Sequence, residues 1–289
     1  MPGIRSKKNE MLITLPSAGW LLVFFIIPTV LVVAMAFRNA DPYGGIGDQW
    51  TLDTFRDLKN PNYPEIIWRT FWLSFVSTAV CIVTAIPAGY YISRLAKKYQ
   101  NIILLLVIVP FWINFLIRIF AWKVFLHPEG LFKQILVTLH LASPESLLLY
   151  RTEAVLIVII YSYLPFALLP IYAAAEKFDH HLLEAAYDLG ASRLQAFMRV
   201  FIPGIRQGLI TAIIVVFIPA LGSYVIPDIV GGPSAEMIGN KIAQRTFVDR
   251  NLPHASALSA LLILAVLLPV AIGMTRRFFK EKNSASLGI

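Results

Sequence analysis

The chain has 289 residues, of which 57% are hydrophobic and only 15% charged, with a formal net charge of +8. The charged share is far below the roughly 25% of a soluble domain. With a mean hydropathy of +0.69, it excludes an ordinary soluble enzyme and indicates an integral membrane protein. The net positive charge does not make the chain a nucleic-acid binder, because its basic residues gather beside the ends of apolar runs.

Six apolar runs, near 17–37, 68–93, 102–125, 153–175, 207–230 and 255–275, reach the roughly 20 residues that a helix needs to cross a bilayer core. They are too long and too continuously apolar for the alternating strands of a membrane barrel. The expected fold is therefore all-α, a polytopic membrane bundle of six transmembrane helices. A signal peptide ending at Ala34-Met35-Ala36 is the rival reading of the first run. That run exceeds the usual 7–15 residues of a signal core, so a retained first helix is expected. Lone Cys81 sits in an apolar run and reads as a small buried residue.

Loop charges orient the bundle. Arg5, Lys7 and Lys8 precede the first run. The loop 38–67 is acid-rich, with Asp41, Asp48, Asp53, Asp57 and Glu65. Arg94, Lys97 and Lys98 follow the second run without an acid, and the loop 126–152 is mixed. Lys177, Arg193, Arg199 and Arg206 mark the loop 176–206, and Arg276, Arg277, Lys280 and Lys282 mark the tail. Six spans with both termini cytoplasmic satisfy the positive-inside rule. The expected layout is a cytoplasmic N-terminus at 1–16, a peripheral first helix at 17–37, a core domain at 68–275 and a cytoplasmic tail at 276–289. Pro28, Pro87, Pro110, Pro165, Pro170 and Pro219 lie inside runs, where kinks are tolerated. They read either as breaks along a pathway or as plain packing irregularity.

The segment 176–206 is polar and helical in pattern between two apolar runs. Asp179 is placed to cap a helix starting near His180. Leu182, Leu183, Ala186 and Leu189 give that helix an apolar face. Gly190 supplies a left-handed end. Ser192 with Gln195 fits a capping box for a second helix, which presents Leu194, Phe197, Met198 and Phe201 and stops at Pro203. The pattern is a helical hairpin at the water boundary. By local physics it is equally an interfacial amphipathic element or a docking element for a soluble partner. Adjacent His180 and His181 lack the spacing and companions of a metal site. No Gly-x-x-x-x-Gly-Lys-Ser/Thr occurs, so the chain is not expected to hydrolyse ATP itself. No Ser-His-Asp set or HExxH motif marks an intramembrane enzyme. Scarce mid-membrane carboxylates and the lack of an evident inverted repeat disfavour an ion-coupled secondary transporter. An ATP-independent channel remains a further alternative.

The residues Glu184-Ala185-Ala186, Gly190 and Val200-x-Ile202-Pro203 resemble the EAA motif of type I ABC importer permeases, the MetI-like fold, with Val200 and Ile202 as aliphatic departures. In that family the first short helix couples to a separate ATPase. The resemblance implies ATPase-coupling roles for Glu184, Ala185, Ala186, Asp188, Gly190 and Pro203. It implies as partners two copies of an ABC ATPase, a second homologous permease chain and an extracytoplasmic solute-binding protein, in a bacterial inner membrane. No cofactor is expected in this chain, and ATP-Mg belongs to the partner ATPase. The stretches 109–120, 184–192, 221–232 and Ile238-Gly239-Asn240 are similar to spermidine/putrescine-type permeases of the B/H subunit kind. Permeases for other small organic cations or amino acid derivatives share much of this pattern. A polyamine path needs carboxylates, carbonyls and aromatic faces. Asp228, Trp112, Asn114, Tyr161, Tyr163 and Tyr224 are its candidate lining. Against these stand a solvated or capping role for Asp228 and interfacial anchoring or packing for the aromatics. Arg118, one turn from Asn114, reads as a structural or gate contact.

Overall fold

The computed structural model describes residues 7–58, 62–140, 143 and 146–268. The basic tail and the last turns of the sixth run lie outside these residues, as does Arg5 of the N-terminal basic cluster. The helices are α1 (Thr14–Met35), α2 (Asn62–Ser93), α3 (Lys97–Trp112), α4 (Phe115–Phe125) and α5 (Leu131–Thr138). They continue with α6 (Thr152–Glu176), α7 (His181–Asp188), α8 (Arg193–Gly204), α9 (Arg206–Leu221), α10 (Val225–Val230), α11 (Ile238–Ala243) and α12 (Leu252–Leu268). Long helices suit hydrocarbon because they bond most backbone polar groups within the segment, although Pro87 in α2 and Pro165 and Pro170 in α6 each interrupt that ladder. Among the described residues the regular structure is helical except for β1 (Arg38–Ala40) and β2 (Ile46–Trp50), an antiparallel pair with Arg38 opposite Trp50 and Ala40 opposite Ile46.

Two of the six expected runs are not single helices. The third is broken between α3 and α4, which meet at 92°. Pro110 removes a donor there, and Asn114 starts a new helix by accepting a 2.9 Å bond from Leu116 N–H. The fifth run stops at Leu221, and Gly222–Tyr224 separates α9 from the short α10. Hydropathy is blind to such turns, because an apolar run stays apolar when it changes direction. Among the described residues three helices are individually long and apolar enough to span, or up to five if the bent pairs α3–α4 and α8–α9 each count once. The sixth run is present over its described part as the shorter apolar helix α12.

The described residues divide into two compact units, one within 64–240 and the other made of those before 64 together with 241–268. The 64–240 unit holds two buried clusters. One joins Cys81 and Ala85 of α2, Ile171 and Ala175 of α6, Leu183 of α7, Phe201 of α8 and Val216 of α9. The other joins Leu73, Ile119, Val155, Ile159, Ile226 and Met237. Small residues set the helix approach, as is usual where lipid supplies no hydrophobic drive. A methyl added at Gly208 of α9 would stand 2.5 Å from Ala174 Cβ and 2.7 Å from the Pro170 carbonyl of α6.

In the other unit, α1 exposes its apolar side chains, with Trp20 at 65% and Phe25 at 68%, as lipid contact requires. Arg38 lies 4.6 Å over the Trp50 ring. Gly45 N–H bonds the Arg250 carbonyl at 2.8 Å. Arg245 donates to Tyr63 Oη at 3.1 Å, which leaves the Tyr63 proton for His254 Nε2 at 2.9 Å.

Candidate coupling hairpin and transmembrane path

The hairpin forms from local signals. Asp179 Oδ1 accepts from His181 N–H at 3.0 Å, satisfying an orphan donor of α7. At the other end Gly190 has φ +85°. Gly190 N–H bonds the Tyr187 carbonyl at 2.9 Å and Ala191 N–H bonds the Ala186 carbonyl at 3.0 Å, a Schellman closure. Ser192 and Gln195 form the reciprocal capping box that opens α8. Pro203 does not end α8. It sits in its last turn, and the chain bends by 70° after Gly204. The bend is tight because Phe178 fills the space beside Gly204, 2.3 Å from where a Cβ would stand.

Packing splits the expected apolar faces. Leu183, Ala196 and Phe201 are fully inside, and Ala186 packs against the same cluster. Leu182, Leu189, Leu194 and Met198 instead point outward, Leu189 at 89% and Leu194 at 70% exposure. Ala185, Glu184, Asp188, Gly190 and Pro203 are exposed too. The hairpin therefore seats one face on the bundle and offers a second, partly apolar face outward. Glu184 Oε2 meets His181 Nδ1 at 3.1 Å, which raises the His181 pKa. Among the described residues Asp188 has no side-chain partner. His180 is wedged between Tyr90 and Phe178, at ring distances of 6.2 and 5.5 Å. Both its ring nitrogens are sealed without a partner. Desolvation, and then the nearby Arg94 charge, push its pKa down.

The candidate path residues fall into separate places. Trp112, 76% exposed, and Asn114 flank the α3–α4 bend. Arg118 is buried beneath that bend. Its Nη1 reaches the Pro110 carbonyl at 3.4 Å and its guanidinium lies 4.2 Å from the Phe111 ring centre. It serves the broken backbone, as expected of a structural arginine. Tyr161 packs edge-on to Trp122 at 5.1 Å and lines a cavity with Ile113, Ile117, Arg118, Ala121 and Phe125. Tyr163 donates to the Pro219 carbonyl at 3.3 Å and packs against both clusters. Tyr224 and Asp228 share the segment after the α9 break, where Asp228 N–H bonds the Tyr224 carbonyl at 3.0 Å. Asp228 is exposed and stands in the first turn of α10.

The residues that hold that segment were not singled out by charge or periodicity. Asn240 Nδ2 donates to the Tyr224 carbonyl at 3.0 Å while its Oδ1 accepts from Met237 N–H at 3.1 Å. Thr70 of α2 accepts from Ile238 N–H at 2.8 Å. Gly239 lies against the Ser223 carbonyl, 2.7 Å from a built Cβ. A usable signal was the Gly239-Asn240 pair in the connection between the fifth and sixth apolar runs, since both residues cost helix propensity.

Residues 82–281 match the model of the binding-protein-dependent transport system inner membrane component family. The chain belongs to that family. It is 37% identical over 251 residues to the spermidine/putrescine transport system permease protein PotB of Haemophilus influenzae, covering 86% of this chain and 88% of that protein. The Escherichia coli protein of the same name is 34% identical over 256 residues, with 89% and 92% covered. In structure the chain is similar to a bacterial ABC transporter involved in alginate import, with a TM-score of 0.70 at 22% identity, covering 94% and 96%. It is also similar to the MetNI methionine ABC transporter, with a TM-score of 0.53 at 22% identity, covering 73% and 92%. This permease is thus a multi-pass membrane protein of the MetI-like fold, a transport component of an ABC importer.

Proposed function

We propose that this permease forms, with a second homologous permease chain, the membrane path for spermidine or putrescine. The observation that carries the substrate class is the 37% identity to a spermidine/putrescine permease along nearly the whole of both chains. An external binding protein delivers the polyamine. Two copies of an ABC ATPase bind ATP-Mg and move the hairpin through α7 and its turn, with Glu184, Ala185, Asp188 and Gly190 facing the ATPase, Ala186 seating α7 on the bundle and Pro203 carrying the motion into the bend before α9. This chain supplies no nucleotide site. Both termini and the hairpin face the cytoplasm, α1 is peripheral, and the remaining spans from 68 to 275 form the path.

Asp228 and Tyr224 suit a cation. The carboxylate is exposed and unpaired among the described residues, and an aromatic ring stands one turn before it, on the segment that Asn240 pins. Arg118 repels a cation, so the cavity it shares with Tyr161 lies off the path. The test is spermidine uptake by the reconstituted complex. Asp228→Asn is expected to raise the KM for polyamine several-fold while ATPase co-purification is unchanged. Unaltered uptake in that variant removes Asp228 from the path. A binding protein of this system that holds another solute and no polyamine overturns the substrate assignment.

A further inference from the structure

We propose that the groove between the end of α2 and the start of α8 binds the phosphate of an anionic phospholipid headgroup. Tyr90, Arg94, Tyr187, Arg193, Leu194 and Phe197 line this groove, with no acid among them. Two guanidiniums therefore face one space. Neither has a carboxylate partner among the described residues, whereas nearby Lys97 is already paired with Glu176. Two unpaired guanidiniums at one point repel each other, and an anion between them removes that cost.

The groove is held in shape. Tyr90 packs edge-on against Phe197 at 5.3 Å and Phe201 at 4.8 Å. Its hydroxyl accepts from Arg94 Nη1 at 2.8 Å, which fixes Arg94 and leaves the Tyr90 proton to donate to a bound oxygen. Arg193 is the first residue of α8, behind the capping box, so the positive end of that helix adds to the field. Arginine forks and a phenol are the donor set that phosphate oxygens take.

Lipid rather than free phosphate is indicated by what surrounds the groove. Leu194 lines it and is 70% exposed, and Met198, one turn further along α8, is 55% exposed. Tyr91, beside Tyr90 on α2, is 68% exposed. A phosphodiester with an acyl chain covers this apolar surface, and a free ion leaves it wet. The proposal draws on the function above only for the leaflet, which is the cytoplasmic one, where anionic headgroups attract basic groups.

The experiment is native mass spectrometry of the purified transporter in mixed phosphatidylglycerol and phosphatidylcholine. It compares the wild type, the Arg94→Gln/Arg193→Gln double variant and a charge-matched Lys98→Gln/Lys177→Gln control. Wild type and control are expected to retain phosphatidylglycerol over phosphatidylcholine. The double variant is expected to lose that preference by about tenfold or more, as removal of two surface charges near a headgroup implies. Displacement of the lipid only by high inorganic phosphate supports the shared phosphate chemistry with lipid as the occupant. Phosphate binding without any phosphatidylglycerol preference overturns the lipid assignment. Equal loss in the control also overturns the site, since bulk charge then explains it. Retained lipid preference with lost ATPase co-purification in the double variant overturns it as well, and assigns the groove to the ATPase. Lost lipid with retained ATPase leaves both the lipid site and the hairpin's coupling role standing.

Discussion

At the scale of single residues, backbone geometry and burial set what each side chain contributes. Gly190 holds φ +85° with nothing within 4 Å of a built Cβ. Its substitution therefore acts through backbone strain and the outer face, not through collision in the bundle. Gly190→Ala is expected to destabilise the hairpin by about 1 kcal/mol and to lower recovery of the ATPase in pull-down. Gly190→Asn, which tolerates the left-handed region, is expected to retain more. His180 gives a pH test. Its folded pKa is depressed, so the folded hairpin binds fewer protons than the unfolded one in the window below the ordinary histidine value. The stability it provides is present above about pH 6.5 and is lost as pH falls through the depressed value. Exposed His181, raised by Glu184, has the opposite sign but is screened by solvent. Protection factors of α7 amides, with the intrinsic pH dependence of exchange removed, are expected to fall on acidification in the wild type and to lose that dependence in His180→Phe. Unchanged acid sensitivity in the variant removes His180 as the cause.

At the scale of elements, the bundle depends on where helices break. The α3–α4 bend frees the Pro110 carbonyl, and Arg118 answers it from one side. Arg118→Leu leaves that carbonyl without its charged donor in an apolar setting, at an expected cost of about 1–3 kcal/mol, read as a lower melting temperature of the detergent-solubilised complex. Asn240→Ala similarly frees the Tyr224 carbonyl and Met237 N–H. It is expected to reduce polyamine uptake more than it reduces ATPase recovery, because it loosens the segment carrying Tyr224 and Asp228 rather than the hairpin. These elements also show what a sequence can and cannot reveal. Asp179, Gly190, Ser192 and Gln195 act on backbone groups within a few residues, so the hairpin was legible before any fold was known. Pro110 marked a weak point, but nothing local encodes a 92° turn. Gly222–Tyr224 lay inside an apolar run and turned it unannounced. Leu182 and Leu189 had the right period for burial, yet periodicity does not say whether an apolar face meets its own bundle or is left for a partner.

At the scale of the whole molecule, composition alone placed the chain in a membrane, and the described helices agree. The path was least legible, because lining is a property of packing. Trp112, Asn114, Tyr161 and Tyr163 sit at a bend, a cap, an apolar cavity and a backbone contact, while Tyr224 and Asp228 alone share an exposed segment. The central claim, that a separate ATPase drives a polyamine through this chain by moving the hairpin, is tested most directly by uptake. The measurement is labelled spermidine accumulation in proteoliposomes holding both permease chains, the ATPase and the binding protein, with and without ATP on the hairpin side. The account predicts accumulation that requires ATP and is abolished by Gly190→Trp. Accumulation without ATP, or undiminished in that variant, would contradict it.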